Sequence, residues 1–305
     1  MLLILPKIGK AWTPLDRTRL ALKYSNITIY CAPMHWSESM VFLPGDGPAL
    51  LSGVLVGFVL GLIGGGGSVF ATPLLVYFVG LRDPHVAIGT GATAVAVNAL
   101  VNLIGHARAG NVKWPCALFF AAAGFFGATL GSTLGKIVDG QKLLMLFGVV
   151  MLVIAAQMAL KKPPQMQPEV RMTWANALSM MPRLAFFGLI AGALAGFFGI
   201  GGGFLVVPAI IAATQMPILS AIGSSLVSVT VFGAATAANY AFSGLVDWRI
   251  AGFLLAGGVV GGIGGGLMAG RMAARKQALT QIFAFLVAGV GLYVIYRGAL
   301  VLFAP

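Results

Sequence analysis

From residue 49 onward the chain alternates apolar runs with short polar breaks. The runs fall at about 49–63, 68–80, 86–107, 115–136 and 141–160, then at about 184–199, 203–214, 219–242, 249–270 and 278–302. Several approach the ~20 residues that cross a bilayer as a helix. None shows the short two-residue alternation of a membrane β-barrel strand. The pattern therefore predicts membrane-spanning helices. The order short, short, long, long, long occurs twice, which predicts a tandem repeat. Between the copies, "KKPPQMQPEVRMTWANALSMMP" is polar and its prolines oppose a helix. The expected organisation is a basic N-terminal extension at 1–48, a first transmembrane repeat at 49–161, a polar linker at 162–183 and a second repeat at 184–305.

Individual residues support the repeat. An offset of 135 places Gly61, Gly64, Gly66, Gly67 and Pro73 on Gly196, Gly199, Gly201, Gly202 and Pro208. One residue is then deleted, and an offset of 134 places "AIGT" (87–90) on "AIGS" (221–224), Gly110 and Trp114 on Gly244 and Trp248, and Gly127 and Gly131 on Gly261 and Gly265.

Composition sharpens the class. The 305 residues are 59% hydrophobic and 9% charged, with a mean hydropathy of +0.98, whereas a soluble domain carries about 25% charged residues. The chain is expected to be an all-α polytopic protein of the plasma or inner membrane. Its net charge of +12 comes from basic residues scattered through loops. Lys and Arg enrichment of cytoplasmic loops explains that balance, and without a clustered basic patch it does not predict nucleic-acid binding. Residues 1–48 hold Lys7, Lys10, Arg17, Arg19 and Lys23 and no run long enough to span. They read either as a basic cytoplasmic extension or as sequence ahead of a start at Met34 or Met40. "MLLILPKIGK" lacks the features of a signal peptide. Cys31 and Cys116 give neither a disulfide framework nor metal spacing, so no metal or other cofactor is expected.

Two stretches interrupt the apolar runs: "GLIGGGGSVFATPLL" (61–75) and "GFFGIGGGFLVVPAI" (196–210). Within a bilayer, irregular backbone persists only where protein or a water-filled cavity supports it. Paired, interrupted segments at matching places in two halves are the sequence mark of a transporter's binding site. A half-helix starting after each break, at Ser68 and at Gly203, would present free N–H groups and its positive dipole end, an arrangement suited to an anion. The candidate binding residues here are Gly64, Gly65, Gly66, Gly67 and Ser68, with Gly199, Gly201, Gly202 and Gly203. No Gly-Lys-Ser/Thr follows, so this is not a phosphate loop. The small-residue stretches 127–135 and 261–270 read instead as helix-packing faces.

Polar groups within the third run of each copy extend the candidate site: Thr90, Asn98 and Asn102 in the first, Ser224 and Ser225 in the second. Such groups at membrane depth face the bundle interior or a cavity. Asn98, Asn102 and His106 are four residues apart, along one helix face, and His106 is a candidate proton carrier. Thr236 and Tyr240 stand at the positions of Asn102 and His106. Asp83, Asp139 and Asp247 fall in loops and Asp46 precedes the first run. Without a carboxylate deep in a span, neither cation transport nor acid–base catalysis is expected. Arg82 beside Asp83 reads as a local ion pair.

These motifs, with "GHARAGNVKW" and its partner "AFSGLVDW", resemble the TauE/SafE family of membrane permeases, which is associated with export of sulfite and organosulfonates. The resemblance covers about residues 49–302. It implies a secondary transporter of a small anion, not an enzyme, with sulfite or an organosulfonate as the expected substrate; an anion channel and a carboxylate transporter are the alternatives. The expected partners are that anion, the lipid bilayer and a second copy in a homodimer. Two topologies stay open. If each broken pair crosses once, the repeats are parallel, and the Lys/Arg distribution favours this. If each pair is a re-entrant hairpin, or two separate crossings, the repeats are inverted, as is common in transporters. In both, symmetry predicts that the two breaks approach each other near the membrane midplane.

Overall fold

The computed structural model describes residues 3–4, 21–24, 27–30, 45–63, 65–160, 174–271 and 276–303. The chain forms two units, Met1–Leu43 and Pro44–Pro305. In the first, strands Leu3–Ile4 (β1), Ala21–Tyr24 (β2) and Ile27–Tyr30 (β3) pair antiparallel in the order β1-β3-β2. The second unit is all-helical among the described residues.

In the second unit α1 is Asp46–Ile63. The chain then runs as a 3-10 segment Gly65–Phe70, a single α turn Ala71–Leu74 (α2) and a π turn Leu75–Val79. Next come α3 Pro84–Arg108, α4 Trp114–Ile137 and α5 Gly140–Leu160. The remainder is α6 Trp174–Phe198, α7 Gly203–Thr214, α8 Ile218–Phe242, α9 Trp248–Arg271 and α10 Lys276–Phe303. Local chemistry sets these boundaries. Asp83 caps α3 by accepting the His85 N–H at 2.8 Å, with Pro84 in the first turn, where no intrahelical donor is lost. Asp139 caps α5 through the N–H groups of Gln141 and Lys142. Six of the described helices are long and apolar enough to cross a membrane, and their outer faces carry large apolar side chains such as Phe126, Leu130, Val260 and Leu267. A water-facing surface would not tolerate that apolar area. This is a multi-pass membrane protein.

One boundary departs from the sequence expectation. α6 begins at Trp174, inside the stretch expected as linker, and carries Pro182 within it. Pro182 lacks the N–H that would bond the carbonyl four residues earlier, and the helix continues through it. Pro163, Pro164 and Pro168 lie outside the described residues.

Each broken pair is a hairpin. A Cβ at Gly67 would strike the α1 backbone at Val56 and Leu60, and Gly45, just ahead of α1, lies by Val79 at the end of the π turn. The chain therefore folds back along α1. α6 and α7 repeat this, with Gly202 lying against Ala195. The single-crossing reading favoured by the Lys/Arg distribution does not match this geometry. That distribution leaned on the basic residues before residue 45, which are not part of the helical unit.

α1 packs most extensively on α9, and α4 on α6; α3 pairs with α8 and α5 with α10. The first contact is built from glycines, because a Cβ at Gly53, Gly57 or Gly61 would meet the carbonyls of Leu254, Gly258 and Gly262. The two helices thus run parallel, with backbones as close as small residues allow. The second contact has the same construction: Gly188, Gly192 and Gly196 face the carbonyls of Phe120, Gly124 and Ala128. α3 and α8 instead run antiparallel, since Gly89 meets Tyr240 while Gly233 meets Ala96. α5 and α10 are antiparallel too, with Met145 by Gly298 and Met151 by Gly291.

Candidate functional site

The second break is built from left-handed glycines. Gly199, Gly201 and Gly202 have φ of 67°, 65° and 71°, a region L side chains rarely enter. α7 starts directly after them. The N–H groups of Leu205 and Val206 bond the Gly202 carbonyl, so those of Gly203 and Phe204 lead the helix with no partner inside it. Gly203 is buried and Phe204 only 5% exposed, which places this helix start inside the protein. A Cβ on Gly201 would lie 3.1 Å from Val95 Cγ1 and 3.6 Å from Val229 Cγ1, midway along α3 and α8.

The first break is constructed differently. Gly65–Phe70 is a 3-10 run, and none of its residues has a positive φ. Gly66, Gly67 and Ser68 are buried; Gly64 lies outside the described residues. The half-helix expected to start at Ser68 is thus a continuous 3-10, α and π path starting at Gly65. This run packs against α7 and touches α3 and α8. The two breaks therefore meet in the interior between α3 and α8.

The other candidates divide into engaged and unengaged groups. Thr90 Oγ1 accepts the Asp247 N–H at 2.9 Å, and Ser224 Oγ accepts the Lys113 N–H at 3.0 Å. Each hydroxyl so ties its helix to the loop that opens α9 or α4. Ser225 donates to the Ile222 carbonyl, and the Asn102 amide donates to the Asn98 carbonyl. His106 sits in the last turn of α3, three turns beyond Val95. Its Nδ1 is buried without a hydrogen-bond partner, and Asn98 is left unengaged at both ends of its amide. Asn98 is 1% exposed, and its amide presses on Gly258 of α9.

Further buried hydroxyls without partners are those of Ser52, Thr72, Ser228, Thr236 and Tyr240. Ser52 and Thr72 escaped the sequence reading. Their signal was a lone hydroxyl in an otherwise apolar run, in "LLSGVL" and "FATPLL". Charges gather instead at the end of the bundle where α3 starts, where Arg82, Asp83, His85, Lys136 and Asp139 line a cavity of ≈ 610 Å³. Arg82 does not pair with Asp83, whose carboxylate caps α3. The Lys136 ammonium donates to the Asn239 carbonyl and Oδ1 and to Ser243 Oγ, fixing α4 to α8. Asp46, expected ahead of the first run, is the first residue of α1; it is buried and held by Arg249 Nη2 at 2.7 Å and Nε at 3.2 Å. No cluster able to hold a metal ion occurs among the described residues.

Against known proteins, the family model described as "Sulfite exporter TauE/SafE" matches residues 49–294. A "probable membrane transporter protein" of Xylella fastidiosa (strain 9a5c) is 49% identical over 246 residues, covering 81% of this chain and 93% of the relative. The "probable membrane transporter protein YdhB" of Bacillus subtilis is 28% identical over 208 residues, covering 67% of this chain and 82% of its own. A similarly described protein of Methanocaldococcus jannaschii, MJ0441, is 26% identical over 182 residues, covering 57% and 65%. No solved structure matches this chain.

Proposed function

The chain belongs to the sulfite exporter TauE/SafE family, and from that premise we propose that it is a secondary transporter exporting a small oxyanion, sulfite or an organosulfonate. The observation that carries this reading is the meeting of two broken backbones in the interior, with the start of α7 buried at their junction. An anion seated there would face leading N–H groups and the positive end of a helix dipole without any fixed carboxylate nearby. Irregular backbone at such depth fits a substrate path, because elsewhere in a bilayer its unsatisfied groups would be costly.

The same reading makes the two halves inverted repeats related by a pseudo-twofold axis in the membrane plane. The support is the interchange of contacts under the sequence offset. Parallel α1–α9 becomes parallel α6–α4, while α3–α8 is paired with its own counterpart and runs antiparallel. Even the loop contacts exchange: Gly89 faces the Leu245 carbonyl and Gly223 the Asn111 carbonyl. An axis through Val95 and Val229 relates the two breaks, and rocking one hairpin against its surroundings would open the shared site to alternate sides.

The test is flux of sulfite, methanesulfonate and small carboxylates in proteoliposomes holding the full chain. A transporter gives saturable flux that accelerates when the same anion waits on the far side. Flux rising linearly with concentration would instead indicate a channel, and no flux of any of these anions would reject the reading.

A further inference from the structure

Buried polar groups without partners occur in both halves; in the second, Ser228, Thr236 and Tyr240 all lie on α8, whereas around the first hairpin they come from three different elements. Around the first hairpin these are Ser52 on α1, Thr72 on α2 and Asn98 on α3, each at most 2% exposed. The sequence offset carries them onto Phe187, Val207 and Phe232. Those three belong to one apolar cluster in the second lobe, where Phe232 stacks on Phe120 and fills the space over Gly124. Asn98 occupies the matching space over Gly258. In the first half, α1, α2 and α3 pack on one another, and Thr72 Oγ1 lies against Gly91, seven residues before Asn98 on the same face of α3, so the three groups surround one three-element contact.

Leaving an amide and two hydroxyls buried without partners is costly, and such groups call for a partner that the fold itself does not supply. We propose that Ser52, Thr72 and Asn98 supply the side chains of the substrate site, which extends from the junction of the breaks into the first half, and that its ligand is an oxyanion carrying one proton, such as hydrogensulfite. The proposal rests on the transporter reading above and adds its residues and the protonation state of the substrate. The chemistry follows from the amide. Its N–H groups donate to an anionic oxygen, while its carbonyl needs a donor that a fully deprotonated anion lacks. One oxyanion O–H beside an O⁻ satisfies both ends at once, and the hydroxyls of Ser52 and Thr72 donate to the remaining oxygens. In the second half the matching space is filled by Phe232, so that half contributes the start of α7 and no side chain.

The experiment uses the purified full-length chain, with sulfite and methanesulfonate as probes, reading both binding and proteoliposome flux. Asn98→Leu should weaken sulfite binding by about ten- to a hundredfold, as expected for hydrogen bonds to a charged group, without lowering the ligand-free melting temperature. Thr72→Val provides an isosteric second variant, with the same direction expected. Phe187→Leu, in the apolar lobe, should bind as the parent does. Sulfite affinity should fall as pH rises and hydrogensulfite is lost, whereas methanesulfonate, which has no proton to give, should bind weakly at every pH. Unchanged binding in both Asn98→Leu and Thr72→Val, or equal affinity for the two anions, overturns the pocket while leaving the transporter reading in place. A parent protein that neither binds nor carries sulfite overturns both.

Discussion

The crossing of α1 with α9 and that of α6 with α4 use the same device and are filled differently. In each, three glycines on one helix face the carbonyls of the other, and in each a side chain from α3 or α8 lies over the glycine opposite the central one, Gly258 or Gly124. That side chain is Asn98 in one crossing and Phe232 in the other. Backbone geometry has been kept equal where it sets the helix spacing, while the chemistry differs where nothing about the spacing depends on it. The breaks show a related contrast, left-handed glycines in one and a 3-10 run in the other, although both reach the same interior junction.

The largest expected effect tests the shared part. Gly57→Leu and Gly192→Leu should each destabilise the protein by about 3 kcal/mol or more, because overpacking here pushes against backbone that cannot rotate away. The equivalence of the crossings requires similar losses, read as melting temperatures in detergent. A large loss in one and none in the other would break it. Next come the breaks. Gly201→Val should cost about 1–2 kcal/mol for its left-handed backbone and add a clash with Val95, whereas Gly66→Val meets no backbone strain. Both should stop flux, yet only the first should lower the melting temperature markedly. Thr90→Val and Ser224→Ala should follow, each losing about 0.5–1.5 kcal/mol for one hydrogen bond to backbone, and equally in both halves. The smallest effect belongs to Arg82→Ala. The residue is exposed and unpaired with Asp83, so stability should stay within about 0.5 kcal/mol.

The helical, membrane-spanning architecture could be read from apolar periodicity, because membrane spans need long uninterrupted runs. The matching offsets lead to the expectation that the two breaks approach each other, and the 3-10 run does pack against α7. Thr90 and Ser224 show where that reading stopped. Their matching positions signalled a shared role, but only the packing shows that each hydroxyl receives an N–H from the opposite half. Ser52 and Thr72 were hidden for a different reason: one hydroxyl in an apolar run looks like packing until its lack of a partner is seen. Hairpin orientation was not readable at all, because short apolar segments fit a broken single span as well as a hairpin, and only contacts such as Gly67 with Leu60 distinguish them.

The central claim is that the two halves are inverted copies, and the loops after α3 and α8 test it most directly. Ala109 and Ser243 are equivalent under the sequence offset, and both are exposed. Each is replaced by cysteine, one at a time, in a chain with Cys31 and Cys116 changed to serine, and then treated with a membrane-impermeant thiol reagent on intact and on permeabilised cells. Inverted halves place the two positions on opposite sides, so one should be modified in intact cells and the other only after permeabilisation. Modification of both from the same side would contradict the account.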